Sequence, residues 1–166
     1  WGVSGQDGDG YGIFAQRVDS VGTRQGGEFQ VNSYTAGFQE HPTIAMDAEG
    51  NFVIVWEGSG QNGAGVYAEQ YNTLGISQGG EFQVNSFYAG FEAYPSVGMD
   101  FDGDFVISWR SSDLTNHISA QRYRAGHVDS LGVKRSSGFY LDSNVSNTWS
   151  GPGSDTFFNF GNASDK

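Results

Sequence analysis

Clusters of aspartate and glycine are the first candidates for chemistry in this sequence. Asp7 and Asp9 alternate with glycines in one segment, and Asp100, Asp102 and Asp104 stand at alternate positions in another. Ca²⁺ binds about six to eight oxygen ligands, and short Asp-rich turns supply several of them. These five carboxylates are therefore candidate Ca²⁺ ligands, although nothing in the pattern requires a cofactor. The alternative is a plain hairpin turn, in which Asp and Gly supply the backbone geometry.

Aromatic side chains are the second group of candidates, because an exposed ring stacks on the face of a sugar. Trp56 and Trp109 each end an apolar run, where packing in the core is the alternative to ligand binding. Other aromatic residues follow the motif GGEFQVNS and are better placed for exposure. The candidate ligand-binding residues are Tyr34, Phe38, Tyr88, Phe91, Tyr94, Trp56 and Trp109.

Catalytic groups are not evident in the sequence. It contains no Cys, and its three histidines have no metal-ligand spacing. Glu28 and Glu81 resemble the paired carboxylates of a glycosidase. They occupy equivalent positions of a repeat, however, and a residue that recurs with the fold is more typical of structure than of catalysis. The sequence therefore predicts a protein that is not an enzyme.

An internal repeat is the element that must position these residues. The eight letters GGEFQVNS occupy 26–33 and again 79–86, an offset of 53, and Pro42 and Pro95 differ by the same offset. A third copy begins at Trp109 and loses the pattern, as end repeats do. We predict one repeat domain over 1–166. Its units are repeat 1 at 1–55, repeat 2 at 56–108 and a degenerate repeat 3 at 109–166.

Each repeat is expected to form four short strands, which in the first copy lie at 13–18, 28–32, 43–47 and 52–56. In the second strand Phe29 and Val31 share one face, and Gln30 and Asn32 lie on the predicted polar face. Four strands in about 50 residues match a β-propeller blade. We predict an all-β, β-propeller-like fold of about three four-stranded antiparallel blades, with a β-solenoid as the alternative. Closed propellers have about four to eight blades, so a homo-oligomer or a longer repeat array is expected.

The letters W, GQDGDG, GGEFQVN and MDAEGNFVIVW between positions 1 and 56 resemble a family of tandem repeats. The family occurs in long exported proteins of cyanobacteria and proteobacteria, and the resemblance extends through position 109. It implies an extracellular or cell-surface location and a role in adhesion or glycan binding. A second segment, GPGSDTF at 151–157, is similar to one unit of the calcium-binding repeats of type I-secreted proteins. There a proline replaces a glycine, and one unit does not build that calcium site.

Charge and hydropathy exclude several partners. The net charge is −11 with 8 basic residues, which disfavours binding to nucleic acid. No apolar run approaches the length of about 18 residues that a membrane helix needs, so no membrane insertion is expected. The leading hypothesis is a non-enzymatic extracellular module that binds a glycan or surface polysaccharide. The alternatives are a self-associating scaffold or filament subunit and an accessory region of a polysaccharide-degrading enzyme.

Overall fold

The computed structural model describes residues 1–86, 90–112 and 116–124, together with the backbone of three short strands further along the chain. In chain order the strands are β1 (Gly2–Ser4), β2 (Tyr11–Val18), β3 (Arg24–Gln30), β4 (Gln39–Met46), β5 (Phe52–Gly60), β6 (Gly63–Tyr71), β7 (Phe82–Gln83), β8 (Glu92–Met99), β9 (Phe105–Ser111), β10 (His117–Tyr123), β11 (Gly132–Arg135), β12 (Gly138–Leu141) and β13 (Thr156–Phe158). The described residues contain no helix, and so none that could cross a membrane.

The strands form antiparallel sheets, which confirms the all-β prediction. The first sheet has the order β1-β2-β3, the second β4-β5-β6-β7 and the third β10-β9-β8, while β11, β12 and β13 form another. The second sheet has four strands, the number expected of each unit, but the first and third sheets have three strands each. The four strands expected in the first repeat are divided between the first sheet and the second. The ring of a propeller and its solenoid alternative remain predictions.

The sheets are out of phase with the sequence repeats. The predicted boundary at 55/56 lies within β5, so the second sheet combines the end of repeat 1 with the start of repeat 2. The boundary at 108/109 lies within β9 in the same way. A repeat counted from tryptophan to tryptophan therefore contributes strands to two successive sheets.

Two apolar clusters hold the three sheets together. One cluster lies between the first and second sheets and includes Ile13, Val31 and Trp56. The other lies between the second and third sheets and includes Val55, Val66 and Ile107. Because successive side chains of a strand point to opposite faces, β5 supplies both clusters and is buried along almost its whole length. This confirms the strand predicted at 52–56 and shows that both of its faces are covered.

Strand β9 repeats much of the β5 sequence but is covered on one face. Val106, the equivalent of Val53, is 44% exposed, whereas Val53 is fully buried. Ser108 stands where β5 has Val55, and this polar substitution is consistent with the more open face. The third sheet therefore keeps a partly apolar outer surface.

One turn geometry recurs at four hairpins. The turns occupy 19–23, 47–51, 72–76 and 100–104, and in each the side-chain oxygen of the first residue accepts the N–H of the fifth at 2.8 to 3.0 Å. The fourth residue is a glycine with φ between +78° and +92°, a region that glycine enters without steric cost. The acceptor is aspartate in three turns and Asn72 in the other, so the geometry needs neither a negative charge nor a cation.

The two ends of the sheets differ in their connections. Because neighbouring strands are antiparallel, these four turns lie at one end, here called the turn end. The connections at 5–10, 33–38 and 61–62 lie at the opposite end, here called the loop end. Hydrogen bonds align the first two sheets: Arg17 donates to the carbonyls of Thr73 and Leu74 at the turn end. At the loop end, an isolated parallel bridge pairs Tyr11 of β2 with Phe38, the residue before β4.

Candidate functional site

The tryptophans predicted as ligand-binding candidates are core residues in this structure. Trp56 is fully buried between the first and second sheets, and Trp109 is 7% exposed between the second and third. Their positions on the inner faces of β5 and β9 leave no ring face for a sugar. The structure therefore corrects the assignment of these two residues as ligand-binding and supports the packing alternative.

The two tryptophans differ in hydrogen bonding, and this difference predicts unequal mutational effects. Trp109 Nε1–H donates to the buried carboxylate of Glu92, while Trp56 Nε1 has no hydrogen-bond partner among the described residues. Trp109→Phe removes a donor from a buried acceptor, whereas Trp56→Phe removes a donor that was unpaired. We expect Trp109→Phe to cost about 1–3 kcal/mol more than Trp56→Phe in the free energy of unfolding. Urea denaturation followed by circular dichroism measures both, and equal losses would contradict the assignment.

The predicted Ca²⁺ ligands take part in hydrogen bonds of the fold. Asp100 accepts the N–H groups of Asp102 and Asp104, and the Asp104 carboxylate pairs with Arg122 at 3.0 Å. Along the described part of the chain, no three His, Cys, Asp or Glu side chains group in a way that could hold a metal ion. These Asp-Gly segments thus have the hairpin-turn role that was the alternative, and calcium binding stays a prediction.

Asp7 and Asp9 join the connection between β1 and β2 to the segment that follows β3. Asp7 Oδ2 accepts from the side-chain amide of Asn32 at 3.2 Å, and Asp9 Oδ2 accepts the N–H of Gly37 at 3.2 Å. Asp47 also accepts hydrogen bonds of the fold. Burial alone would raise the pKa of its carboxyl, but these hydrogen bonds have the larger effect. Bonds from Asn51 and Gly50 hold the pKa of the Asp47 carboxyl below its ordinary value.

The exposed aromatic candidates divide into two groups. Tyr34 lines a cleft between the first and second sheets at the loop end, whereas Phe38, Phe91 and Tyr94 are exposed but do not line it. Tyr88 lies outside the described residues. The structure therefore does not bring the predicted aromatic residues together in one site.

This inter-sheet cleft has a volume of about 390 Å³. Its walls combine rings with amide, hydroxyl and carboxylate groups. The lining residues are Ser33, Tyr34, Gln61, Asn62, Tyr67, Glu81, Phe82 and Gln83. Two come from the segment that follows β3, and the other six come from the second sheet and its adjoining segments.

The two copies of GGEFQVNS meet in the cleft. Glu81, in the second copy, accepts hydrogen bonds at 2.7 and 2.9 Å from the N–H and the hydroxyl of Ser33, the last residue of the first copy. Glu81 also accepts the N–H of Tyr34 at 3.3 Å. The carboxylate therefore fixes the segment that carries the exposed Tyr34 ring. The sequence predicted neither contact, although the identity of the two copies was a signal that both are needed.

Asn32 and Asn85, predicted to lie on a polar face, are buried. Asn32 Oδ1 accepts the N–H of Ile13 at 2.7 Å, and Asn85 Oδ1 accepts the N–H of Val66 at 2.9 Å. Each asparagine thus continues the pairing of its strand beyond the last residue of the ladder. The asparagine therefore has the same role in both copies of the motif.

Gln83 contributes an unpaired acceptor to the cleft wall. Its Nε2 donates to Asn85 Oδ1 at 3.4 Å, which leaves its Oε1 buried and without a hydrogen-bond partner among the described residues. An unsatisfied buried carbonyl oxygen lowers the stability of the folded state. Gly65 permits this packing, because a Cβ at that position would lie 2.7 Å from Gln83 Nε2.

Glu69 is a buried carboxylate on β6. Burial raises its pKa, hydrogen bonds with Ser77 and Tyr71 oppose this increase, and the charge of Glu81 adds to it. Burial and the two carboxylates also raise the pKa of Tyr71. The charge of Glu81 therefore acts on both Glu69 and Tyr71 of β6.

The raised pKa of Glu69 predicts that Glu69→Gln increases the free energy of unfolding by an amount that depends on pH. The folded state holds the Glu69 proton more tightly than the unfolded state, so wild-type stability falls as pH rises through the folded pKa. The variant lacks this loss, and Gln16 already occupies the equivalent position in the first repeat. We expect a gain of about 0.5–1 kcal/mol at neutral pH that disappears in acid.

Thermal melts of Glu69→Gln between acid and neutral pH test this expectation. Glu49→Gln is the matched control, because Glu49 is exposed and the charge change is the same. Its effect is expected to stay within about 0.5 kcal/mol. A gain from Glu69→Gln that is the same at every pH would exclude titration of Glu69 as its cause.

A second cluster joins the second and third sheets at the loop end. His41 and Tyr94 occupy equivalent positions, each before a proline, and both have positive φ, 50° and 53°. Their rings are 5.1 Å apart. Glu57 accepts the N–H of Tyr94, and its Oε1 lies 3.1 Å from Nδ1 of His41. The two strained residues coincide with register shifts in β4 and β8.

Comparison of the chain with protein-family models, with curated proteins and with solved structures gives no match. The resemblance to exported tandem repeats therefore stays a prediction from the sequence motifs.

Proposed function

We propose that this protein is a non-catalytic binding module whose inter-sheet cleft takes a carbohydrate unit. The observation that carries the proposal is the combination, in one cleft, of an exposed Tyr34 ring with the side chains of Gln61, Asn62 and Gln83. An aromatic face binds the C–H face of a sugar, and amides exchange hydrogen bonds with its hydroxyls.

The size of the cleft supports this class of ligand. A volume of about 390 Å³ falls in the lower part of the range of about 300–1,000 Å³ for small-molecule sites. Such a space suits one or two sugar rings of a longer glycan. An exported protein that binds surface or matrix polysaccharide would use a site of this kind.

The arrangement of carboxylates favours binding over hydrolysis. Glycosidases require two carboxyl groups on either side of the scissile bond. Glu81 is the single carboxylate among the described residues that line the cleft. Glu28, its equivalent, lies on the first sheet and accepts a hydrogen bond from Gln6. The predicted pair of glutamates therefore does not face one site.

Tyr34→Ala tests the proposal, with Phe38→Ala as its matched control. Both residues are 38% exposed at the loop end, but Tyr34 lines the cleft and Phe38 does not. In a glycan array followed by calorimetry on each bound sugar, we expect Tyr34→Ala to weaken binding about tenfold or more, because it removes the stacking surface. Phe38→Ala is expected to leave the affinity within about twofold. Absence of binding by the wild-type chain across the array would refute the proposal.

Self-association is a second candidate function, favoured by the open outer face of the third sheet. Val106 and Ile118 are exposed on this face. The equivalent residues of the second sheet, Val53 and Val66, are buried because the third sheet packs on them. A sheet of the same kind from another copy would cover Val106 and Ile118. Native mass spectrometry tests this candidate: replacement of both residues by threonine is expected to reduce any oligomer, and a wild-type monomer at high concentration would exclude it.

A further inference from the structure

The charge of the inter-sheet cleft is one-sided. Glu81 contributes a carboxylate, and no Lys, Arg or His appears among the described residues that line the cleft. The groups that donate hydrogen bonds to Glu81 are backbone N–H groups and a hydroxyl. These donors are uncharged, so they do not neutralise the carboxylate. Burial is the main cause of the raised pKa of Glu69 on β6, and the charge of Glu81 adds to it. The whole chain adds to this potential with its net charge of −11.

The charged group of the cleft is also an acceptor of hydrogen bonds. The carboxylate of Glu81 accepts hydrogen bonds and donates none. A ligand group that contacts it favourably must present a donor or a positive charge. Sugar hydroxyls and ammonium groups donate hydrogen bonds, whereas carboxylate and sulfate oxygens accept them. An acidic sugar would bring two disadvantages together, a like charge in a partly desolvated site and acceptors facing acceptors.

We infer that the cleft selects neutral or amino-substituted sugar units and rejects uronic-acid and sulfated units. The inference rests on the proposed carbohydrate function and adds the chemical class of the ligand. The residue that determines the selection is Glu81, through its charge. A neutral unit can donate a hydroxyl hydrogen bond to this carboxylate, and an amino unit gains a further attraction to it.

The test compares three charge forms of the same sugar. Trisaccharides of neutral, 2-amino and uronic-acid units in the gluco, galacto and manno series are titrated into the full chain by calorimetry at low and high NaCl. In any series that binds, we expect the uronic form to bind at least about tenfold more weakly than the neutral form at low salt. Added salt should narrow this gap, since it screens the repulsion.

Glu81→Gln and Glu28→Gln separate the local charge from the total charge. Both substitutions remove one negative charge from equivalent positions, but Glu28 does not line the cleft. We expect Glu81→Gln to reduce the discrimination against the uronic form several-fold and Glu28→Gln to leave it unchanged, with melting temperatures measured for both. Uronic forms that bind as tightly as neutral forms would overturn the inference while leaving the proposed function intact. Failure of every form in every series would instead refute the proposed function itself.

Discussion

Replacement of Trp56 by alanine is expected to lower the free energy of unfolding by about 3–5 kcal/mol, the range for deletion of a buried large aromatic side chain. Trp56 is fully buried and packs with Tyr67, the ring centroids being 6.4 Å apart, in the cluster that joins the first and second sheets. The neighbouring strands are fixed by their ladders, so the cavity cannot collapse without a shift of a whole sheet. Denaturant titration followed by circular dichroism measures the loss.

Trp1→Ala is the matched control for Trp56→Ala. Trp1 is the equivalent residue of the first repeat, but it is 50% exposed on the outer face of the first sheet. Its replacement is expected to cost about 1 kcal/mol or less, because much of its surface already contacts solvent. Similar losses in the free energy of unfolding at the two positions would contradict the structure, in which Trp56 lies on a covered face and Trp1 on an exposed one. Where Trp56→Ala does not fold, Trp56→Phe gives the smaller loss in the same direction.

The contrast between Trp1 and Trp56 shows how much of the structure of a repeat could be predicted from its sequence. Alternation and apolar runs predicted strands near the observed β2, β4 and β5, and a packed tryptophan was the stated alternative to a ligand-binding one. Whether the tryptophan of a given repeat is buried depends on whether another sheet packs on its face. The sequence of a single repeat does not contain this information. The strand Phe105–Ser111 illustrates the limit, because nearly the same letters as β5 give an open face.

The phase of the sheets was also beyond the sequence. The repeat is continuous, so any position can serve as its start, and the tryptophan was a convenient marker. Hydrogen bonding places the division between sheets near the start of β4 instead, since the segment after GGEFQVNS crosses from one sheet to the next. The inter-sheet cleft forms at this crossing, and its residues come from two copies of one motif. Recognition of the motif as duplicated did not reveal that its copies touch through Ser33 and Glu81.

The sequence indicated that Asp-Gly segments form hairpin turns, but it did not reveal the hydrogen-bond geometry that these turns share. Asp-Gly segments predicted hairpins, and calcium was the competing interpretation of the same letters. The turn that begins at Asn72 resolves part of this ambiguity, because an amide there makes the same backbone contacts as Asp19 and Asp100. A comparison of all four turns was needed to see it, as the letters between the first residue and the glycine differ in each.

Asn32→Ala is expected to cost about 2–4 kcal/mol in the free energy of unfolding, a loss second to that of Trp56→Ala. The buried side chain of Asn32 accepts the N–H of Ile13 at 2.7 Å and donates to Gln39 Oε1 at 3.0 Å. Alanine leaves both groups buried without these partners, and each orphaned group costs about 1–3 kcal/mol. Asn32 also donates to the carbonyl of Tyr34 at 3.0 Å, so sugar affinity is expected to fall together with stability.

Gln30→Ala and Asn32→Asp make the expectation for Asn32 specific. Gln30 is exposed and donates to the backbone carbonyl of Asn32, so its loss is expected to stay within about 0.5–1 kcal/mol. Aspartate keeps the acceptor for Ile13 but removes the donor to Gln39 and brings a charge close to Asp7. Asn32→Asp should therefore lose stability at neutral pH and recover part of it in acid, where the new carboxyl is protonated. An Asn32→Ala variant as stable as Gln30→Ala would show that the buried amide does not hold the end of this strand, and the link between GGEFQVNS and the cleft would fail with it.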